Sequence, residues 1–294
     1  MTKRLKTTLI AAAALVLLGA IIFLIALAVG GFRASGLSST VTANKIYTES
    51  ADNPINSIII DYENADVYVT FGDTLSVSYS ELYTKGGEQI SDIFLTDGSG
   101  NLSIRERLIP FKNIGFDATE PRITVTLPKD RAVSLNVETD NGDIDLVGNG
   151  LTVSNLVLNT DNGDVELGQI SANKISVSTD NGSIEVKNLT ATEAIKLDTE
   201  NGDIDLEGSI SAASLEVEVD AGDISHEGGV ITAGKISLST SVGDIEATLA
   251  GIQSDYTIRV EKALGTSNVK TSHGGGKRLD IESEIGDITI NFAG

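Results

Sequence analysis

The 294-residue chain contains no cysteine, no tryptophan and only two histidines, His226 and His273. Without cysteine there is no disulfide, no thiolate nucleophile and no Cys-ligated metal. Neither histidine has a second ligand-type residue at a metal-binding spacing, and no nucleophile-elbow motif or distinct carboxylate pair stands out. The sequence therefore predicts a protein that is not an enzyme and gives no indication of a cofactor.

Positive charge is scarce as well. Lysine and arginine number 21 against 42 aspartates and glutamates, which gives a formal net charge of −21. Nucleic acid repels a chain this acidic, so no nucleic-acid partner is expected. Disorder is excluded too, because hydrophobic residues make up 40% of the chain and are regularly spaced.

The first 33 residues have the pattern of a membrane anchor. Lys3, Arg4 and Lys6 precede residues 7–32, which carry no charge. At about 1.5 Å per helical residue this run exceeds the ~30 Å hydrocarbon core of a bilayer. We expect residues 1–33 to form a cytoplasmic tail and a transmembrane helix, with everything after them outside the cell membrane. The alternative is a signal peptide cleaved near Ala26–Ala28, although the run is longer than an ordinary signal-peptide core.

The rest of the chain divides into three segments. Residues 34–56 are polar and predict a linker. Residues 57–130 show short runs of period-two alternation and predict irregular opening β coils or a cap. Residues 131–294 are repetitive. No segment after the anchor has sustained helical periodicity, so the fold class is all-β.

The repeat is the strongest signal in the sequence. Residues 139–146, Thr-Asp-Asn-Gly-Asp-Ile-Asp-Leu, recur in near-copies up to residues 283–290. The glycines of the copies lie 19 to 22 residues apart, at Gly142, Gly163, Gly182, Gly202, Gly222, Gly243, Gly265 and Gly286.

A unit of about 20 residues cannot bury its apolar face alone, but it can do so when stacked on copies of itself. The constant period therefore predicts a β-solenoid, a single-stranded β-helix of about 20-residue coils stacked in sequence order. A series of hairpins is the alternative, because Asn-Gly is also a strong hairpin signal. In the solenoid, the repeated glycine would occupy a corner that requires positive φ. Gly251 lies outside the register, and Gly251→Ala is expected to be tolerated better than Gly182→Val.

The polar residues around each glycine would form columns along the stack. We expect the Asn side chains at 141, 162, 181 and 201 to hydrogen-bond to one another. Two columns of carboxylates would flank them. These form either a solvated acidic edge that accepts backbone N–H groups or a column of weak calcium sites. The candidate calcium ligands are Asp140, Asp143, Asp161, Asp164, Asp203 and Asp223.

The repeats resemble a family of bacterial "putative adhesin" proteins that includes LiaG-like envelope proteins. The resemblance covers roughly residues 50–294 and is carried by Ile123–Pro128, the Thr-x-x-Gly-Asp-Ile repeats and the tail from Tyr256 to Ile290. It implies a β-solenoid in a bacterial envelope, often with one transmembrane anchor. It brings no catalytic residues.

Two functions remain open at this point. The chain could be an interaction module that presents a surface to another envelope protein. It could instead be a regulatory or sensory subunit that works through a membrane partner, since a six-residue tail can hardly signal alone. Polysaccharide recognition is less favoured, because residues 131–294 contain only Tyr256 and Phe292 as aromatic residues.

Overall fold

The computed structural model describes residues 40–109, 121–146, 148 and 150–294. The transmembrane helix predicted at residues 7–32 lies outside these residues. Within the described part of the chain, no helix has the length and apolar character needed to cross a membrane.

The described residues form β-strands and one short 3₁₀ turn, Gln253–Asp255, which makes this part of the chain all-β as predicted. The alternation of β-branched and polar residues explains the strands. The strands are β1 (Thr40–Thr48), β2 (Ser57–Asn64), β3 (Asp66–Gly72), β4 (Ser76–Thr84), β5 (Ser91–Gly98), β6 (Asn101–Leu108), β7 (Arg122–Pro128), β8 (Ser134–Asn141), β9 (Ile144–Leu146), β10 (Leu151–Thr152), β11 (Asn155–Asn162), β12 (Val165–Leu167), β13 (Ile170–Asn181), β14 (Ile184–Lys187), β15 (Leu189–Asn201), β16 (Ile204–Glu207), β17 (Ile210–Ser211), β18 (Ser214–Ala221), β19 (Ile224–Glu227), β20 (Ile231–Thr232), β21 (Lys235–Val242), β22 (Ile245–Ala250), β23 (Tyr256–Leu264), β24 (Lys277–Ile285) and β25 (Ile288–Ala293).

The chain divides into two compact units. The described residues of the smaller unit are 40–43, 81–92 and 108–109. Within it, a turn is closed by the Thr84 N–H, which donates to the Glu88 carbonyl at 2.7 Å. The larger unit contains residues 44–80, 93–107 and 121–294, and it holds all of the repeats.

Parallel coils stack in register in the larger unit, and each repeat contributes to three rows of strands. The first and longest row, here called the long face, runs β6–β2–β8–β11–β13–β15–β18–β21–β24–β23. The second runs β7–β3–β9–β12–β14–β16–β19–β22–β25. Two-residue segments beginning at Leu151, Ile170, Leu189, Ile210 and Ile231 belong to a third row. This arrangement is that of a β-solenoid.

The core is a set of aliphatic columns inside the coils. In one repeat, Leu156 and Leu158 from the long face meet Val165 and Leu167 from the second row, and all four are at most 1% exposed. Each such buried side chain contributes about 1.5–3 kcal/mol relative to an exposed one. Because the same positions recur in every coil, one continuous core runs through the stack.

At both ends of the stack, the order of coils departs from sequence order. At the C-terminal end, β24 lies between β21 and β23. Residues 277–285 therefore pack directly on β21, and the earlier residues 256–264 pack on the outer side of β24. At the other end, β2 lies between β6 and β8. The prediction that the coils follow sequence order is therefore wrong at the C-terminal end, where β23 becomes the outer strand.

The first part of the chain is more regular than its sequence suggested. Strands β2 and β3 pair in parallel register with β8 and β9, so the coil 57–72 joins the stack directly. In addition, residues 40–48 of the predicted linker 34–56 form strand β1. The Thr, Val, Ile and Tyr residues of that segment favour extended structure, which a reading based on polarity overlooked.

Candidate interaction surface

The repeated glycines stand where successive coils approach most closely. A Cβ atom on Gly182 would lie 2.0 Å from the carbonyl oxygen of Gly163 in the neighbouring coil. All eight repeat glycines share this geometry, with 1.9 to 2.1 Å between the added Cβ and a backbone oxygen. The glycine column follows the spatial order 142, 163, 182, 202, 222, 243, 286, 265. Such a contact with backbone cannot be relieved by moving a side chain, so only glycine fits.

Positive φ is not the requirement common to all of them. Gly182 has φ of +158° and Gly265 has +114°, but Gly163 is outside the left-handed region and meets the same steric limit. Close approach of coils is therefore the shared cause. Gly251, expected to tolerate alanine, has φ of +98°, and its added Cβ would lie 2.5 Å from Asp255 Oδ2. This contact is with the end of a side chain, whereas the contact at Gly182 is with backbone, and the expected difference between the two positions stays a prediction.

The threonine that begins each repeat is buried and bonds to the neighbouring coil. Thr179 Oγ1 donates to the Gly163 carbonyl at 2.9 Å, and Thr199 Oγ1 donates to the Gly182 carbonyl at 2.9 Å. Thr139, Thr160, Thr240 and Ser283 make the equivalent bonds. Val219 stands at this position in β18 and has no hydroxyl. This role of threonine was not predicted.

The asparagines form the predicted ladder. Asn162 Nδ2 donates to Asn141 Oδ1 at 3.1 Å, and Asn181 Nδ2 donates to Asn162 Oδ1 at 3.1 Å. Asn201 continues the ladder at 3.2 Å from Asn181. The prediction of an amide ladder is confirmed.

The ladder also reaches a coil outside the predicted repeats. Asn141 Nδ2 donates to Asn64 Oδ1 at 3.0 Å, and the Asp143 N–H donates to Asp66 Oδ1 at 3.2 Å. Residues 63–67, Glu-Asn-Ala-Asp-Val, match residues 200–204 of the repeats, with Ala65 in place of glycine and Val67 in place of isoleucine. Alignment on Asn and Asp instead of Gly would have found this coil.

The aspartates after the glycines accept backbone N–H groups from the next coil. Asp143 Oδ1 accepts the Asp164 N–H at 2.9 Å, and Asp164 Oδ1 accepts the Ser183 N–H at 2.8 Å. Asp203, Asp223, Asp244 and Asp287 repeat the arrangement. Backbone and hydroxyl hydrogen bonds from Thr266 hold the pKa of Asp287 below its usual value. This column therefore ties coils together.

The aspartates before the asparagines are different. Asp140, Asp161, Asp180, Glu200 and Asp220 are exposed and follow one another along the stack. Burial raises the pKa of Asp140, and the charges of Asp161, Glu63 and Asp61 raise it further. This column is a line of like charges, and at Asp140 the raised pKa means that ionisation is opposed by burial and by its acidic neighbours.

Calcium binding by the acidic columns stays a prediction. Of the six candidates, Asp143, Asp164, Asp203 and Asp223 lie in the column that accepts backbone N–H groups. Asp140 and Asp161 lie in the exposed column. Within residues 40–109, 121–146, 148 and 150–294, no three acidic or histidine side chains are arranged to hold a metal ion.

His226 is a buried core residue, 3% exposed. Its Nδ1 accepts the Thr248 N–H at 3.3 Å, and its Nε2 lies 2.9 Å from the Gly208 carbonyl oxygen. These two bonds fit a neutral ring protonated at Nε2. Both ring nitrogens are thus used in holding neighbouring coils.

The outer side of the long face varies from coil to coil, whereas its inner side does not. The first two inward positions of each repeat strand are aliphatic, as in Leu215 and Val217 or Ile236 and Leu238. The outward pairs, in spatial order, are Asn136 and Glu138, Val157 and Asn159, Ser176 and Ser178, Lys196 and Asp198, Glu216 and Glu218, Ser237 and Ser239, Asp280 and Glu282, and Arg259 and Glu261.

This variation creates a trough near the C-terminal end of the stack. Ser237 and Ser239 are short side chains, and the rows on either side of them carry carboxylates. Glu216 and Glu218 form one wall, and Asp280 and Glu282 form the other. Arg259 and Glu261 lie beyond the second wall and form an ion pair with each other. The trough is therefore open, polar and mainly acidic.

The comparison with protein families identifies this architecture. The family described as Toastrack DUF4097 matches residues 55–291, which include the opening coil and every repeat. The chain belongs to this family. The resemblance noted from the repeats is thereby confirmed for the fold. No curated protein matches the chain.

Solved structures support the same fold. A "putative adhesin" from Bacteroides fragilis aligns with a TM-score of 0.51 at 18% identity, covering 86% of this chain and 97% of that one. Others with the same description come from Parabacteroides distasonis and Parabacteroides merdae. Both have a TM-score of 0.50 and cover 86% of this Toastrack chain. The P. distasonis protein is 15% identical and is covered over 97% of its chain, and the P. merdae protein is 12% identical and is covered over 96%. At these identities the likeness shows the fold.

Proposed function

We propose that this Toastrack protein is a non-enzymatic interaction module of a bacterial cell envelope. Residues 7–32 anchor it in the membrane, and the stack outside binds a protein partner through its long face. The proposal rests on the difference in sequence variation between the inner and the outer side of that face. Inner residues repeat because the stack requires them, while outer residues differ from coil to coil and serve no common packing role.

The description of similar structures as "putative adhesins" supports the same class of function. The strongly negative charge of the chain favours partners with basic groups, since complementary charge speeds and orients association. The membrane anchor rests on the uncharged run after Lys3, Arg4 and Lys6.

Site-specific photo-crosslinking in living cells tests this function. A photoreactive residue replaces Ser178 or Ser239 on the long face, with Ser171 in the third row as the matched serine control. We expect the two long-face positions to crosslink to the same envelope protein, identified by mass spectrometry, and Ser171 to give background only. Equal yields from all three positions would contradict a binding role for the long face.

A further inference from the structure

The position of the asparagine ladder becomes apolar at the C-terminal end of the stack. Asn201 pairs in register with Ala221, Ala221 with Val242, Val242 with Ile285, and Ile285 with Leu264. Val242, Ile285 and Leu264 are 51%, 49% and 62% exposed. These three residues, here called the apolar row, stand side by side on neighbouring coils. With coils about 4.8 Å apart, the row extends over about 10 Å.

The fold does not require aliphatic residues at this position. The same place in the coils from Asn64 to Asn201 is occupied by asparagine, whose amides bond along the stack. Exposing three large aliphatic side chains in their place gives up those hydrogen bonds and leaves apolar area in water. Contiguous exposed apolar residues with a polar rim are typical of binding sites.

Carboxylates are frequent in the sequence next to the apolar row. Glu282 and Glu284 precede Ile285 on β24, Glu261 precedes Leu264 on β23, and Asp244 and Asp287 follow Val242 and Ile285. Lys262 is the one basic residue in the segments 242–244, 261–264 and 282–287.

We propose that the apolar row is a docking surface for a partner segment that carries aliphatic residues flanked by lysine or arginine. Aliphatic groups of the segment cover Val242, Ile285 and Leu264, and its basic groups face the neighbouring carboxylates. A second copy of this chain fits poorly, because its net charge of −21 would bring like charges together. The proposal rests on the proposed interaction function and names its surface and partner chemistry.

The test compares two variants of the full-length protein in phosphatidylcholine nanodiscs. The double substitution Val242→Asn with Ile285→Asn places at these positions the residue that the other coils already carry, so the stack is retained. Ile252→Asn is the control, since Ile252 is 51% exposed and lies outside the row. Circular dichroism melts check the fold of each.

The probe is a fluorescent peptide of alternating lysine and leucine, and its binding is followed by anisotropy with empty nanodiscs as the blank. We expect saturable binding to the wild type and to Ile252→Asn, and at least tenfold weaker binding to the double variant. A peptide with glutamate in place of lysine should not bind. Equal binding by the double variant, equal binding of the glutamate peptide, or no binding to the wild type would overturn the proposal.

Two further measurements separate the other outcomes. A concentration-dependent dimer in sedimentation that is lost in the double variant would assign the row to a second copy and overturn the basic-segment proposal. In cells, the crosslinks from Ser178 and Ser239 should weaken in the double variant. If they persist unchanged, the docking surface is wrong while the interaction function stands.

Discussion

Four of the five residues of the repeated Thr-Asp-Asn-Gly-Asp turn, all except the first aspartate, contact a neighbouring coil. In the coil of Gly182, the Thr179 hydroxyl donates to a carbonyl, the Asn181 amide extends the ladder, and Gly182 permits backbone contact. The sequence predicted the ladder and the importance of glycine. It could not show the threonine bond, because that bond depends on the direction of a carbonyl in another coil.

The glycine column predicts equal sensitivity at Gly163 and Gly182, although only Gly182 has a φ in the left-handed region. Gly163→Ala and Gly182→Ala should each lower the free energy of unfolding by about 2–4 kcal/mol, since both bring Cβ onto a backbone oxygen. Gly276→Ala is the control, because its added Cβ meets no atom within 4 Å. Urea denaturation of the full-length protein measures all three. A neutral Gly163→Ala beside a damaging Gly182→Ala would mean that φ, rather than close approach, governs the column.

Val219 offers a gain of stability in the same turn. Val219→Thr should place a hydroxyl where Thr199 and Thr240 donate to glycine carbonyls, adding a bond to Gly202 worth about 0.5–1.5 kcal/mol. The reverse change, Thr179→Val, should cost a similar amount. Thermal melts of both variants check the pair. Destabilisation by Val219→Thr would show that the hydroxyl is not accommodated at this position.

At the scale of the strands and turns, the two acidic columns act in opposite directions. The column after the glycines accepts N–H groups and stabilises the fold, and the column before the asparagines gathers like charges. From the sequence, both columns were expected to belong to one acidic edge, because composition shows the number of carboxylates but not which backbone groups they face.

This difference predicts a pH dependence of opposite sign for two substitutions. The raised pKa of Asp140 means that ionisation weakens the fold, an effect absent below its ordinary value of 3.8 and full above the raised pKa. The lowered pKa of Asp287 means that its stabilisation is present above 3.8 and is lost as pH falls through the lowered pKa.

Asp140→Asn should therefore raise the urea midpoint at pH 7 and have little effect at pH 3. Asp287→Asn should lower the midpoint at pH 7, because a charge-assisted acceptor becomes a neutral one. Urea titrations at the two pH values measure both. Midpoints that move in the same direction at pH 7 would contradict the division into two columns.

At the scale of the whole molecule, the periodic part of the sequence predicted the periodic part of the fold. The spacing of Gly142 to Gly243 gave the coils in their observed order, because neighbouring repeats stack directly. The glycine spacing did not predict the order of the coils at the ends of the stack. The sequence spacing of Gly243, Gly265 and Gly286 is compatible with either order of the last two coils, and packing rather than periodicity decides which strand is inserted.

The absence of cysteine makes the order of coils directly measurable by engineered disulfides. Neighbouring parallel strands about 4.8 Å apart permit a disulfide, whereas a separation of two coils, about 9.6 Å, exceeds the limit of about 7 Å between Cα atoms. Ser239 pairs in register with Glu282, which pairs in turn with Glu261. Glu218 and Ser239 are neighbours in both possible orders and serve as the positive control.

Three double-cysteine variants are oxidised under mild conditions, and intramolecular disulfides are counted by mass spectrometry. The stack described above predicts disulfides in Glu218→Cys with Ser239→Cys and in Ser239→Cys with Glu282→Cys, and none in Ser239→Cys with Glu261→Cys. A disulfide between positions 239 and 261, with none between 239 and 282, would contradict the inserted coil and the apolar row built on it.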